Sequence, residues 1–157
     1  MTTSASTTAD PTTGPAIDAD DLRTAERGLK FAAVVTVVTG LFFAVASTAP
    51  TDAAVRQLLD VVFFRFGDGP AELSDSHHLV NAILGGVMVG WGVTVWLVVD
   101  RLLALAPREV GRILLVGLAA WFVVDSTGSV ASGGWLNAVP LNVAFFAVFL
   151  VPLRRLR

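Results

Sequence analysis

The sequence predicts an all-α fold, a four-helix transmembrane bundle with a short amphipathic helix in its first outer loop. Three observations carry that expectation. The mean hydropathy is +0.71, with 54% of the 157 residues apolar and only 15% charged. Four apolar runs each approach the roughly 20 residues that a helix needs to cross about 30 Å of hydrocarbon. None of the runs alternates polar and apolar residues as a barrel strand does, and backbone polar groups in hydrocarbon then require helices.

The composition also excludes function classes. Thirteen acidic against 11 basic side chains give a formal charge of −2, leaving no basic surplus for phosphates, so a nucleic-acid partner is not expected. With no cysteine, disulfides, thiolate catalysis and Cys-held metals or clusters are absent from the list. Four crossings use about half the chain and leave no room for a separate soluble domain.

Residues 1–20 are rich in Thr, Ser, Ala and Asp, with neither an apolar run nor a Lys or Arg, and read as a disordered tail on the cytoplasmic side. Lacking the basic start of a cleaved signal peptide, they leave the first apolar segment as a retained anchor. The membrane domain is expected over 21–157. Its first span covers about 29–49 and stops at Pro50, and its second covers about 79–99 and ends at Asp100-Arg101. The third covers about 111–131. The fourth, about 136–153, closes on Arg154, Arg155 and Arg157, with Pro140 placed in its opening turn.

Between the first two spans, Val55, Leu58, Leu59, Val62 and Phe63 recur at helical spacing. They predict a short helix lying on the membrane surface or capping the bundle. The segment Arg65-Phe66-Gly67-Asp68-Gly69-Pro70 should then break it.

Orientation follows from Lys and Arg beside the spans. Arg23, Arg27, Lys30, Arg101, Arg108, Arg112, Arg154, Arg155 and Arg157 fall on one side, and Arg56 and Arg65 on the other. Both termini should therefore be cytoplasmic.

Depth is the most informative property of the polar residues. Asp125 lies about thirteen residues past Arg112, or about 20 Å along the third span, in its outer third. Asn81 is a turn below the outer surface in the second span, Asn142 a turn and a half into the fourth, and Asn137 at its mouth. Gly117, Trp121, Asp125, Ser129 and Ser132 share one stripe of the third span. A carboxyl facing lipid costs at least about 2.5 kcal/mol, so Asp125 should turn towards Asn81, Asn142, Ser129 or a watered recess. The ligand-binding or polar-recess candidates are thus Asp125, Asn81, Asn142, Ser129 and Trp121. The competing account is purely structural, with Asp125 tying the helices together.

The pair Gly86 and Gly90, flanked by Gly85 and Gly92, predicts tight packing within the bundle or a homo-oligomer face. His77 and His78 sit at the outer water boundary beside Asp75. Adjacent histidines point about 100° apart, which rules out a bis-histidine haem, and with Glu72 or Asp75 they make no complete metal spacing. They are wetted interfacial residues or, as metal candidates, an incomplete zinc set. Trp96 and Trp135 read as interface anchors, while Trp91 and Trp121 lie deeper. No phosphate loop, zinc-protease pair or triad is present, so no catalytic residue is assigned and no cofactor is expected.

Gly85-Gly86 through Gly90-Trp91-Gly92, with Trp121-Phe122, Asp125-Ser126-Thr127-Gly128-Ser129 and Asn142, resembles the small four-span bacterial membrane proteins of the DoxX-like or BphX-like type. The resemblance covers about 29–153. It implies a four-helix bundle in the bacterial cytoplasmic (inner) membrane with an outer loop after the first helix. Members of one branch are linked to quinone-dependent sulfur oxidation, for which this chain carries no cofactor signature.

Three functions stay open at this point. One is an accessory or ligand-binding membrane protein that uses the outer recess. Another is a transporter or channel subunit with Asp125 in an ion or proton path. The third is the anchor subunit of a quinone-linked membrane redox enzyme.

Overall fold

The computed structural model describes residues 17–65 and 72–157. Residues 1–16 of the expected tail, and most of the breaker that follows Arg65, lie outside the described residues. Within them the chain is all-α. Helices α1 (Ala19–Val45), α2 (Ala53–Val62), α3 (Asp75–Leu102), α4 (Pro107–Ala131) and α5 (Asn142–Leu153) follow in order, with a π turn over Asn137–Leu141 leading into α5. Four helical stretches, counting the continuous run Asn137–Leu156 (the π turn, α5 and a closing 3-10 turn) as one, are long and apolar enough to cross a membrane.

Helices α1, α3 and α4 begin before the predicted spans because local capping extends them, whereas α1 ends at Val45, four residues short of the expected 49, where the Ala46 amide caps it by donating to Ala44 O and Phe43 O. Helix α1 begins ten residues before the expected 29, where Asp18 accepts a hydrogen bond from the Asp20 amide and Asp20 and Asp21 occupy the first turn. It therefore takes in the last two residues assigned to the tail. Helix α3 begins at Asp75 because the Ser74 hydroxyl accepts from the His77 amide. Pro107 stands in the first turn of α4, where its missing N–H costs nothing.

Packing is uneven. Helix α1 lies against α3 along nearly its whole length, α5 packs on another side of α1, and α4 leans mainly on α5. The α1–α3 contact is close because glycine faces backbone. A Cβ added to Gly85 would meet Ala44 N at 2.5 Å and Gly40 O at 2.6 Å, and one on Gly92 would meet Val37 Cγ2 at 2.7 Å. Gly86 and Gly90 have open space where a Cβ would go, so the tight packing belongs to the glycines that flank the predicted pair.

The end that carries both described termini is fastened by charge. Lys30 reaches Glu26 and Asp100, each at 2.8 Å, and lies 5.4 Å over the Trp96 ring. Arg155 meets Asp21 at 3.0 Å.

At the opposite end α2 forms a strap across the bundle mouth. It closes in a Schellman turn, with Arg65 N–H donating to Asp60 O at 2.8 Å and Phe64 N–H to Val61 O at 3.2 Å. That turn puts Phe64 at φ +55°, a conformation costing a non-glycine residue about 1–3 kcal/mol. The Phe64 ring is stacked on Trp135 with centroids 5.4 Å apart, which helps offset the strain. Helix α4 ends in the same motif, here with Gly133 at φ +84° and Gly134 N–H donating to Ser129 O at 2.8 Å. Val62 of α2 rests directly on Gly134.

Candidate functional site

Asp125 sits about 9 Å along the axis from the end of α4, half-buried and turned towards α5. Three donors converge on its Oδ1: Asn142 Nδ2 at 2.7 Å, Asn137 Nδ2 at 2.9 Å and Ser129 Oγ at 3.2 Å. Asn137 Nδ2 also donates to Ser129 Oγ at 2.8 Å, and Asn142 Nδ2 to Ser126 Oγ at 3.1 Å. Ser126 and Ser129 are one and four residues from Asp125 on its own helix, whereas both asparagines come from across the turn.

The π turn is what aligns those asparagines. Residues five apart on an α-helix point about 140° apart, so Asn137 and Asn142 could not both face α4 from a regular helix. Pro140 has no N–H and disfavours the i−4 pairing of an α-helix. The chain instead closes a wider turn, with Asn142 N–H donating to Asn137 O. Such π turns concentrate at functional sites.

Of the five predicted recess residues, the structure brings Asp125, Asn142 and Ser129 into one network and sets Trp121 a turn below it. Asn81 lies elsewhere. Its Nδ2 donates to the Ala46 carbonyl at 3.2 Å, satisfying the exposed end of α1 from α3. Asn137 and Ser126 belong to the network although the candidate set omits them: the π turn brings Asn137 to it, and Ser126 stands next to Asp125 on α4.

Below the carboxylate the bundle is aromatic. Trp91 stacks on Phe149 at 5.6 Å between centroids and approaches Trp121 at 6.3 Å, and Trp121 meets Phe145 at 5.1 Å. Above these rings and beneath the strap opens a cleft of about 520 Å³, within the range of small-molecule sites. Its walls are Val38, Thr39 and Phe42 of α1, Leu58 of α2, Met88 of α3, Trp121 of α4, and Leu141, Asn142 and Phe145 from the π turn and α5.

Three lining residues carry polar groups, and their hydrogen-bonding sense is legible. Thr39 Oγ1 donates to Val35 O at 2.8 Å, so towards the cleft it offers acceptor lone pairs. Asn142, 4% exposed, gives its amide N–H groups to Asp125 and Ser126, leaving its carbonyl oxygen as the acceptor. Trp121 supplies an indole donor. Asp125 does not line the cleft; it sets which end of the Asn142 amide can serve it.

A second polar cluster holds the strap. Asp52, 2% exposed, stands before α2, and its Oδ2 is 2.9 Å from His78 Nε2 on α3. Arg56 Nε lies 2.9 Å from its Oδ1, close enough for an ion pair but too poorly aligned for a hydrogen bond. His77 is taken by Ser74, Nδ1 to Oγ at 2.7 Å. The two histidines thus serve different partners, and among the described residues no group of three or more His, Asp or Glu side chains could hold a metal.

Replacing His78 with Leu is expected to cost about 1–3 kcal/mol by leaving the Asp52 carboxylate short of a partner. The loss should appear as faster amide exchange confined to α2. Unchanged exchange there would mean that Arg56 and the Phe64–Trp135 stack hold the strap alone.

No family model, curated protein or solved structure matches the chain.

Proposed function

We propose that this is a multi-pass protein of the bacterial cytoplasmic membrane, with both termini in the cytoplasm, that binds an amphipathic molecule carrying a hydroxyl end. The molecule enters from the outer leaflet and lies in the cleft beneath α2. One observation carries the reading: Asp125 and Ser126 occupy the Asn142 amide donors, so Asn142 and Thr39 meet a ligand as acceptors in an otherwise apolar cleft. A hydroxyl satisfies them by donating and can also accept from Trp121. The apolar body is then covered by Phe42, Leu58, Met88 and Phe145.

The same observation gives less support to the anchor of a quinone-linked enzyme, because with the Asn142 amide donors spent only the Trp121 indole is left to serve a quinone carbonyl. A proton or ion path through Asp125 is disfavoured by the aromatic layer of Trp91, Trp121, Phe145 and Phe149 on its inner side. The role is accordingly one of binding rather than catalysis.

A diacylglycerol with a photoreactive diazirine in its acyl chain tests the reading in liposomes containing the full chain. Crosslinks should concentrate on Met88, Phe145 and their neighbours. Thr39→Val should weaken labelling about three- to tenfold, the worth of one hydrogen bond, and Met88→Trp should block it by filling the cleft. Labelling spread evenly over the lipid-facing helix surfaces, or untouched by both substitutions, would overturn the proposal.

A further inference from the structure

At the opposite end of the bundle a groove of about 300 Å³ runs between the start of α4 and the end of α5. It is lined by Arg108, Gly111, Arg112, Leu115, Leu153, Leu156 and Arg157. Three guanidinium-bearing residues thus rim a floor of leucine. Gly111 lets the floor form, since a Cβ there would already touch Leu156 Cδ1 at 3.3 Å.

The neighbouring charges sort themselves into two sets. Arg155 is held by Asp21 and Arg101 by Asp100, whereas among the described residues no acid pairs with Arg112 or Arg157. Glu109, the nearest acid in sequence, does not line the groove; it lines an adjoining recess with Ile17, Ala106 and Pro107, and Arg108 stands between the two and lines both. Among the described residues, the guanidinium groups of Arg112 and Arg157 therefore have no acidic side chain beside them where the apolar floor ends.

We infer that this groove seats one anionic phospholipid of the surrounding membrane, with its phosphate between Arg112 and Arg157 and an acyl chain along Leu115 and Leu153. Guanidinium groups suit the site because they bind phosphate oxygens in pairs and are weakly hydrated. The leucines supply what a free phosphate cannot use. Basic pockets between transmembrane helices recognise such headgroups through this combination. The inference does not depend on the outer cleft, which lies at the other end of the bundle.

The test uses the full chain in nanodiscs of phosphatidylcholine mixed with phosphatidylglycerol, released into native mass spectrometry. The wild type should retain phosphatidylglycerol over phosphatidylcholine by about tenfold beyond their ratio in the disc. The double variant Arg112→Gln, Arg157→Gln should lose that preference, while Arg101→Gln, at the same end but outside the groove, should keep it. Excess inorganic phosphate should leave the retained lipid in place. Equal retention of the two lipids by the wild type overturns the inference without recourse to any variant. So does loss of preference in Arg101→Gln, which would indicate a general surface charge effect, or displacement of the lipid by inorganic phosphate, which would indicate a phosphate site indifferent to the acyl chain.

Discussion

Replacing Asp125 with Leu should destabilise the protein by about 2 kcal/mol, whereas Asp125→Asn should cost under about 1 kcal/mol. The asymmetry comes from the geometry of the acceptor. All three donors end on Oδ1, an atom that an asparagine carbonyl replaces in place. Leucine removes it. Asn142 then keeps only its bond to Ser126, while Asn137 and Ser129 can still satisfy each other at 2.8 Å. Hydrogen bonds between helices in a membrane average about 0.6 kcal/mol and reach about 1.7, so losing three, two of them from across the turn, sums to about 2 kcal/mol. Leucine also relieves hydrocarbon of a polar group, which keeps the figure from rising further. Reversible unfolding in bicelles measures both variants. A leucine variant as stable as the wild type would deny the carboxylate its structural part, and an asparagine variant as damaged as leucine would show that negative charge itself is needed.

These two substitutions also separate the structural part of Asp125 from its part in the cleft. Asp125→Asn should leave the Asn142 amide oriented as it is, and so preserve labelling by the diacylglycerol probe. Asp125→Leu frees the amide to turn and should reduce labelling even where the variant remains folded.

The number, order and helical character of the spans were legible because each apolar run matches the thickness of a bilayer. The short helix after the first span was legible from the spacing of Val55, Leu58 and Val62. Asp125 stood out because an acid at that depth needs partners, and Asn142 and Ser129 lay at matching heights. Height alone could not assign Asn81, since depth says nothing about which neighbour a helix faces, and α3 turns that residue to the end of α1. Asn137 was legible only as a residue at the mouth of the fourth span, because the π turn that brings it alongside Asn142 onto Asp125 leaves no periodic signal in the sequence. The pairing of Asp52 with His78 joins positions 26 residues apart, one before α2 and the other on α3, and no periodic signal connects them. The glycine pattern was conspicuous, yet its phase was set by which face of α3 met α1, a tertiary fact.

That phase makes a large effect of Gly85→Leu the sharpest expectation about the fold. An added Cβ would sit 2.5 Å from the Ala44 amide nitrogen and 2.6 Å from the Gly40 carbonyl oxygen, distances that backbone atoms cannot accommodate without separating the helices. Gly40 presses back in turn, its own added Cβ meeting Gly85 O at 2.8 Å and Val89 N at 2.8 Å, so neither helix can yield alone. Overpacking a well-filled interior typically costs about 1–3 kcal/mol. Here the clash is with backbone on both sides of the most extensive interface in the molecule, and the cost should reach about 3 kcal/mol or more. Gly86→Leu and Gly90→Leu place their side chains in open space and should stay within about 0.5 kcal/mol of the wild type, since they touch no packed feature. Thermal unfolding of the three variants in the same detergent reads the contrast directly. A collapse of Gly86→Leu or Gly90→Leu together with Gly85→Leu would place a partner, a second copy of the chain first among them, on the face that α3 turns away from α1.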